Sequence, residues 1–171
     1  MANEITKNDR RFNAGVSNCH QKIKQTLVVK ALSRDMLIGV EIVVCHIVRE
    51  TSGLAMISSN KYLTDEEKSK AKILFQSLVA TKEFIESSER NRKKINAFMH
   101  EYLRKLEILK IDYALAADAY NLSEPSEFEE GMDVVLLLGT ILGKTRLIDN
   151  MVVKIPVSNY NEDERFQAGL K

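Results

Sequence analysis

Three histidines (His20, His46, His100) and two cysteines (Cys19, Cys45) are the side chains of this 171-residue chain best suited to hold a metal or act as a nucleophile. The pairs Cys19-His20 and Cys45-His46 are adjacent in sequence, and neighbours on a strand point to opposite faces, so neither pair converges on one ion. Their spacing matches no usual zinc pattern and gives no Ser/His/Asp or Cys/His order, so no catalytic side chain and no metal ligand is expected. The stretch from Gly139 to Thr145 ends in Gly-Lys-Thr as a phosphate-binding loop does. Only three residues separate its glycines, one too few for that motif, and its apolar neighbours predict a strand end and turn. The basic run Arg90, Arg92, Lys93, Lys94 opens a helix, where the backbone dipole is already positive, so it reads as a solvated face. The loop Gly53-Leu54-Ala55-Met56-Ile57-Ser58-Ser59-Asn60 is more suggestive. Small hydroxyl residues between a strand end and a capped helix can donate to a phosphate, and the helix start adds a favourable field.

The elements that must position this loop follow from periodicity. Ile23, Leu27, Val28, Ala31, Leu32 and Leu37 recur at helical spacing; the helix reads from Gln21 to Leu37, with Asn18 as its cap and Gly39 as its stop. Residues 40–48 are short and β-branched, which suits a strand. Thr64 and Glu67 form a capping box that opens a helix running to about Ser87. Ile95, Phe98, Met99, Tyr102, Leu103, Leu106 and Leu109 make the buried stripe of a second helix of about five turns. Residues 111–117, 133–142 and 150–155 read as strands, with a loop around Pro125 and a connection from Lys144 to Asp149. The expected fold class is α+β, a small antiparallel sheet with helices packed on one face. The tail from Pro156 lacks apolar periodicity and is expected to be mobile.

Composition narrows the function classes. A net charge of +1 from 25 basic and 24 acidic residues argues against a nucleic-acid or anionic-membrane surface. The longest apolar stretch, Val134 to Gly143, is about half of the ~20 residues that a membrane span needs. The polar start, with no apolar run, predicts no signal peptide and a cytoplasmic location. Two cysteines make no disulfide framework.

The segment IVRETSGLAMISSNKYLTDEE (47–67) resembles the pantothenate synthetase (pantoate–β-alanine ligase) family, which usually reads Val-Arg-Glu-x-x-Gly-Leu-Ala-Met-Ser-Ser-Arg-Asn-x-Tyr-Leu-Thr there. Residues 21–42, 111–122 and 134–153, the last with Lys144-Thr145-Arg146-Leu147-Ile148-Asp149-Asn150, are similar to further family segments in family order. Together they cover about residues 19–155. The resemblance implies that residues 1–46 are a remnant of a nucleotide-binding, Rossmann-like domain, that 47–155 form the C-terminal lid, and that 156–171 are a tail. The implied reaction joins pantoate to β-alanine with ATP and Mg2+, through a pantoyl adenylate.

The resemblance carries ligand roles onto named positions. Gln21 and Lys22 fall in the stretch that touches ATP; Lys22 keeps its charge for phosphate, while Ile23 stands where the family has an acceptor aspartate. Gln25 matches the first of two glutamines that follow, and Thr26 replaces the second, a pantoate contact. Val48 matches the position whose backbone meets adenine. Met-Ser-Ser-Arg becomes Met56-Ile57-Ser58-Ser59: Ser58 survives, Ile57 loses a hydroxyl, and Ser59 lacks the guanidinium that would clamp the triphosphate. No two of the three histidines are spaced as the family's His-x-Gly-His. The chain by itself is therefore expected to be inactive, either as a ligase part needing its N-terminal half or as a non-catalytic structural or interaction module with the lid fold. The expected partners are that missing half or a second copy, met through the helix from Gln21 to Leu37, and a self-associating species follows from the apolar surface left open.

Overall fold

Thr64 opens the longest helix as its sequence requires: its hydroxyl accepts from the Glu67 amide at 3.2 Å and the Glu67 carboxylate accepts from the Thr64 amide at 2.9 Å. In the computed structural model, residues 5–7, 23–37, 39–44 and 47–157 are described. In chain order these form β1 (Ile5–Lys7), α1 (Ile23–Asp35), β2 (Glu41–Val43), a 3-10 helix (Ser58–Tyr62), α2 (Asp65–Glu86), α3 (Arg92–Arg104), β3 (Leu109–Asp118), β4 (Asp133–Leu142) and β5 (Thr145–Lys154).

The main sheet is antiparallel in the order β3-β4-β5. Alternation along β4 decides its two faces. Val134, Leu136, Leu138 and Leu142 point into the core shared with Leu74, Leu78 and Ile85 of α2 and Ile95, Met99 and Leu103 of α3. Val135, Leu137 and Ile141 point the other way, and α1 borders the cavities over that second face through Ile23 and Leu27. Gly139 lies opposite Tyr113 in the neighbouring strand, and a Cβ on it would meet the Tyr113 ring at 2.3 Å. The α+β reading with α2 and α3 on one face therefore stands.

Four boundaries differ from expectation. Among the described residues the strand expected over 40–48 spans Glu41–Val43, antiparallel to β1. Within the described residues α1 spans Ile23–Asp35, and it closes at Leu37, whose φ of +52° takes the left-handed role expected of Gly39. The second helix ends at Arg104. Leu109 of the same apolar stripe instead begins β3 opposite Leu142, since an apolar position is satisfied equally by a helix face or a sheet face. The connection expected over Lys144 to Asp149 is only the turn at Gly143 and Lys144, between the paired Leu142 and Thr145, with Gly143 at φ +58°. Thr145, Asp149 and Asn150 are buried within β5, and their polarity disguised the strand.

Only part of the basic run is a solvated face: Lys93 and Lys94 are exposed, while the two arginines are engaged. Arg90 donates to the carbonyls of Ile85 and Pro156, Arg92 to Glu124 and the Pro125 carbonyl, and Lys94 pairs with Glu89. The two arginines tie the α2–α3 turn to the loops at the sheet's far end. The tail from residue 158 lies outside the described residues.

Candidate functional site

The loop singled out by its small hydroxyl residues folds back on itself before the 3-10 helix. The Met56 amide donates to the Val48 carbonyl at 2.9 Å, the Glu50 amide to the Leu54 carbonyl at 2.9 Å and the Gly53 amide to the Glu50 carbonyl at 2.9 Å. Gly53 is required at the tip. Its φ is +85°, and a Cβ there would fall 2.3 Å from Cδ1 of Phe75 on α2. Leu54 and Ala55 are buried below the turn, and the Asn60 side chain donates to the Ala55 carbonyl at 2.8 Å.

One cation anchors the turn. Arg49 donates from Nη1 to Asp149 Oδ2 at 2.6 Å and from Nη2 to Oδ1 at 2.9 Å, a parallel fork. Its Nη1 also reaches the Gly53 carbonyl at 3.0 Å and its Nη2 the Asn150 carbonyl at 3.3 Å. The guanidinium carbon lies 4.3 Å from the centre of the Phe75 ring. Burial makes the pair costly to break, since removing Arg49 would leave the Asp149 carboxylate, only 2% exposed, without a partner.

The expected ligand positions fall into three groups. Val48, Met56 and Ser58 are exposed and Ser59 is half-buried, all four on this loop and the first turn of the 3-10 helix. Thr26 on α1 is 7% exposed and lines a cavity of about 190 Å³ with Ile47, the residue before Val48, and with Asn150 and Val135 of the sheet. Gln25 lies in α1, while Gln21 and Lys22 lie outside the described residues. A second cavity of about 560 Å³ continues over the same face, with Leu115, Ala117 and Leu137 as its floor and Tyr113, Glu124, Arg146 and Asn150 around it. There burial pushes the Tyr113 hydroxyl above the ordinary tyrosine pKa, and Asp112 holds the Arg146 guanidinium above its own.

The loop presents an apolar Met56 side chain, two serine hydroxyls and the Val48 backbone, which suit a base edge and one phosphate oxygen. Its guanidinium is engaged by Asp149, and the Lys61 ammonium sits 4.9 Å from the Tyr62 ring centre. The loop thus fits a nucleoside end better than a triphosphate. Among the described residues no group of three or more His, Cys, Asp or Glu side chains could hold a metal, and Cys19, His20, Cys45 and His46 lie outside them. Among the described residues no helix is long and apolar enough to cross a membrane.

Sequence reasoning missed Arg49, Asp149 and Phe75. The one available signal was an aspartate set between Leu147-Ile148 and Met151, a charged residue in an apolar strand that needs a partner.

A family model described as Pantoate-beta-alanine ligase matches residues 19–152. Pantothenate synthetase of Caldicellulosiruptor saccharolyticus is 41% identical over 132 residues, 77% of this chain and 46% of that protein. Its counterpart in Clostridium novyi is 39% identical over the same shares. A crystal structure of pantothenate synthetase from Thermus thermophilus superposes with a TM-score of 0.70 at 28% identity, covering 81% of this chain and 48% of that one. A structure of pantoate-beta-alanine ligase from Francisella tularensis, complexed with beta-gamma ATP and beta-alanine, shares 23% identity at a TM-score of 0.50 and speaks for the fold alone. The chain spans about half the length of the curated relatives it matches.

Proposed function

Because the chain belongs to the pantoate-beta-alanine ligase family, we propose that it supplies the C-terminal lid of the ATP-dependent condensation of pantoate with β-alanine. One observation carries the reading: the family match spans a loop that presents Val48, Met56 and Ser58 to solvent with Ser59 half-buried beside them, anchored from behind by Arg49 and Asp149. In this reading residues 1–46 belong to the nucleotide-binding side, 47–155 are the lid, and the protein works in the cytoplasm. ATP, as Mg-ATP, brings the adenylyl group and its leaving pyrophosphate. Val48 presents backbone to the base and Met56 packs beside it; the Ser58 and Ser59 hydroxyls donate to phosphate oxygens. Gln21 and Lys22 extend the nucleotide contacts, with the Lys22 ammonium answering phosphate charge, and Gln25 and Thr26 face pantoate.

Catalysis in such a reaction rests on donors and cations placed around developing phosphate charge more than on a protein nucleophile. These 171 residues contain no His-x-Gly-His and no arginine at position 59. They are therefore expected to bind the nucleotide without turning it over. Calorimetry with Mg-ATP checks binding: heat that vanishes in Lys22→Ala is the expected outcome, and silence at millimolar nucleotide would favour a non-catalytic module that keeps the lid fold. An assay for AMP release with pantoate and β-alanine checks turnover, and no product is expected. Pantothenate formed by purified chain would overturn the inactive-lid reading.

A further inference from the structure

Arg49 joins three pieces of chain that the sequence keeps far apart. Its fork on Asp149 spans a separation of 100 residues, its Nη1 also holds the Gly53 carbonyl, and the Phe75 ring covers the guanidinium while closing on Gly53. The Asp149 side chain is 2% exposed and that of Arg49 19%. The loop's remaining hydrogen bonds are local, linking Val48 to Met56, Glu50 to Leu54 and Ala55 to Asn60. Without Arg49 the turn would be left with these short local bonds alone and would lose most of its polar attachment to the sheet.

What is attached matters more than the attachment. Arg49 directly follows Val48, and the Arg49 backbone bridges to Ala55, next to Met56. On the other side, Asp149 directly precedes Asn150, which lines both cavities and shares the smaller one with Thr26. The ion pair therefore couples the height of the nucleotide-facing loop to the floor of the cavity that Thr26 borders. We infer that Arg49, through Asp149, is a positioning residue that sets where Val48, Met56 and Ser58 meet the nucleotide. This rests on the nucleotide reading above. A supporting residue can change affinity strongly because ligand contacts tolerate errors of only about 0.5 Å.

Arg49→Lys tests the geometry. A lysine keeps the charge but offers a point donor that cannot make the two parallel bonds. Amide hydrogen exchange and a Mg-ATP titration followed at backbone amides are read on the 171-residue chain. The expected result is exchange at Gly53 and Met56 faster by about tenfold or more, β4 amides unchanged within about twofold, and nucleotide affinity weaker by about fivefold or more. Asp149→Asn should move the same amides in the same direction. Loop and β4 amides accelerating together would mark an ordinary structural ion pair and overturn the inference, as would a loop that does not respond. Should both variants fail to fold, the unmodified chain still decides: Gly53 and Met56 amides are expected to be protected about a hundredfold over the unfolded rate, and protection near unity overturns the inference. If the unmodified chain shows no response to Mg-ATP at Val48, Met56 or Ser58, the nucleotide reading fails and takes the positioning role with it. The exchange contrast separately judges the anchor.

Discussion

Position 59 illustrates how one side chain sets what a loop can recognise. Ser59 stands half-buried in the first turn of the 3-10 helix, where the family pattern has an arginine. A hydroxyl can donate one hydrogen bond; a guanidinium donates a charged fork, and each charge-assisted bond contributes about 1.5–3 kcal/mol. Arg49 cannot substitute, since Asp149 takes both of its outer nitrogens. Ser59→Arg is therefore expected to tighten Mg-ATP by about tenfold or more while leaving AMP within about twofold, measured by calorimetry. Equal tightening of AMP and ATP would place the new guanidinium away from the β- and γ-phosphates. Ile57, extended and without a side-chain cap on the 3-10 helix, packs against the core.

The joint between α2 and α3 shows how an element start is built from charge. The Glu89 carboxylate accepts from the Asn91 amide at 2.9 Å and the Arg90 amide at 3.0 Å, and the Lys94 ammonium lies 3.3 Å away. Asn91 in turn caps α3 by accepting from the Lys94 amide. The Asn91 amide, foremost among these donors, holds the Glu89 pKa below the ordinary glutamate range. A carboxyl with a lowered folded pKa contributes stability that is complete above its unfolded value. That contribution is lost as pH falls from about 4.3 through the folded value. Glu89→Gln is expected to flatten this part of the stability profile and, near neutral pH, to cost about 1 kcal/mol, or about 2–4 °C in Tm. Thermal unfolding followed from pH 7 down to strongly acid buffer checks it; identical profiles for both proteins would assign the acid sensitivity to other carboxylates.

At the scale of the molecule, the two sheet faces are unequal. The face under α2 and α3 is filled by leucine, isoleucine and valine, whereas the other carries cavities of about 560 and 190 Å³ beneath α1. The opposite side of α1 is apolar too: Val28 is 64% exposed, Leu32 51% and Met36 62%. Spaced by four, these residues form a stripe that water covers at a cost of about 25 cal/mol per Å². A second copy of the chain is the expected cover. Sedimentation velocity should show concentration-dependent association that Leu32→Glu suppresses, and a clean monomer at high concentration would count against it.

Much of this architecture was legible beforehand, and the limits have a physical origin. Capping at Thr64 and Glu67, the stripe of α3 through Leu103 and the span of β4 depend on hydrogen bonds and alternation within a few residues, so composition and spacing determine them. The family blocks around Gly53-Leu54-Ala55-Met56 and Arg146-Leu147-Ile148-Asp149-Asn150 were equally readable, because they are strings. Their meeting was not. Asp149 reads as a polar loop residue until Arg49 arrives from 100 positions away, and β5 extends through Thr145 only because Leu142 faces it in register. Thr26 borders a cavity solely because Ile47, Val135 and Asn150 are brought there by separate elements. Local periodicity cannot encode which distant charge neutralises another. That choice belongs to packing, which alone decided how the loop is held.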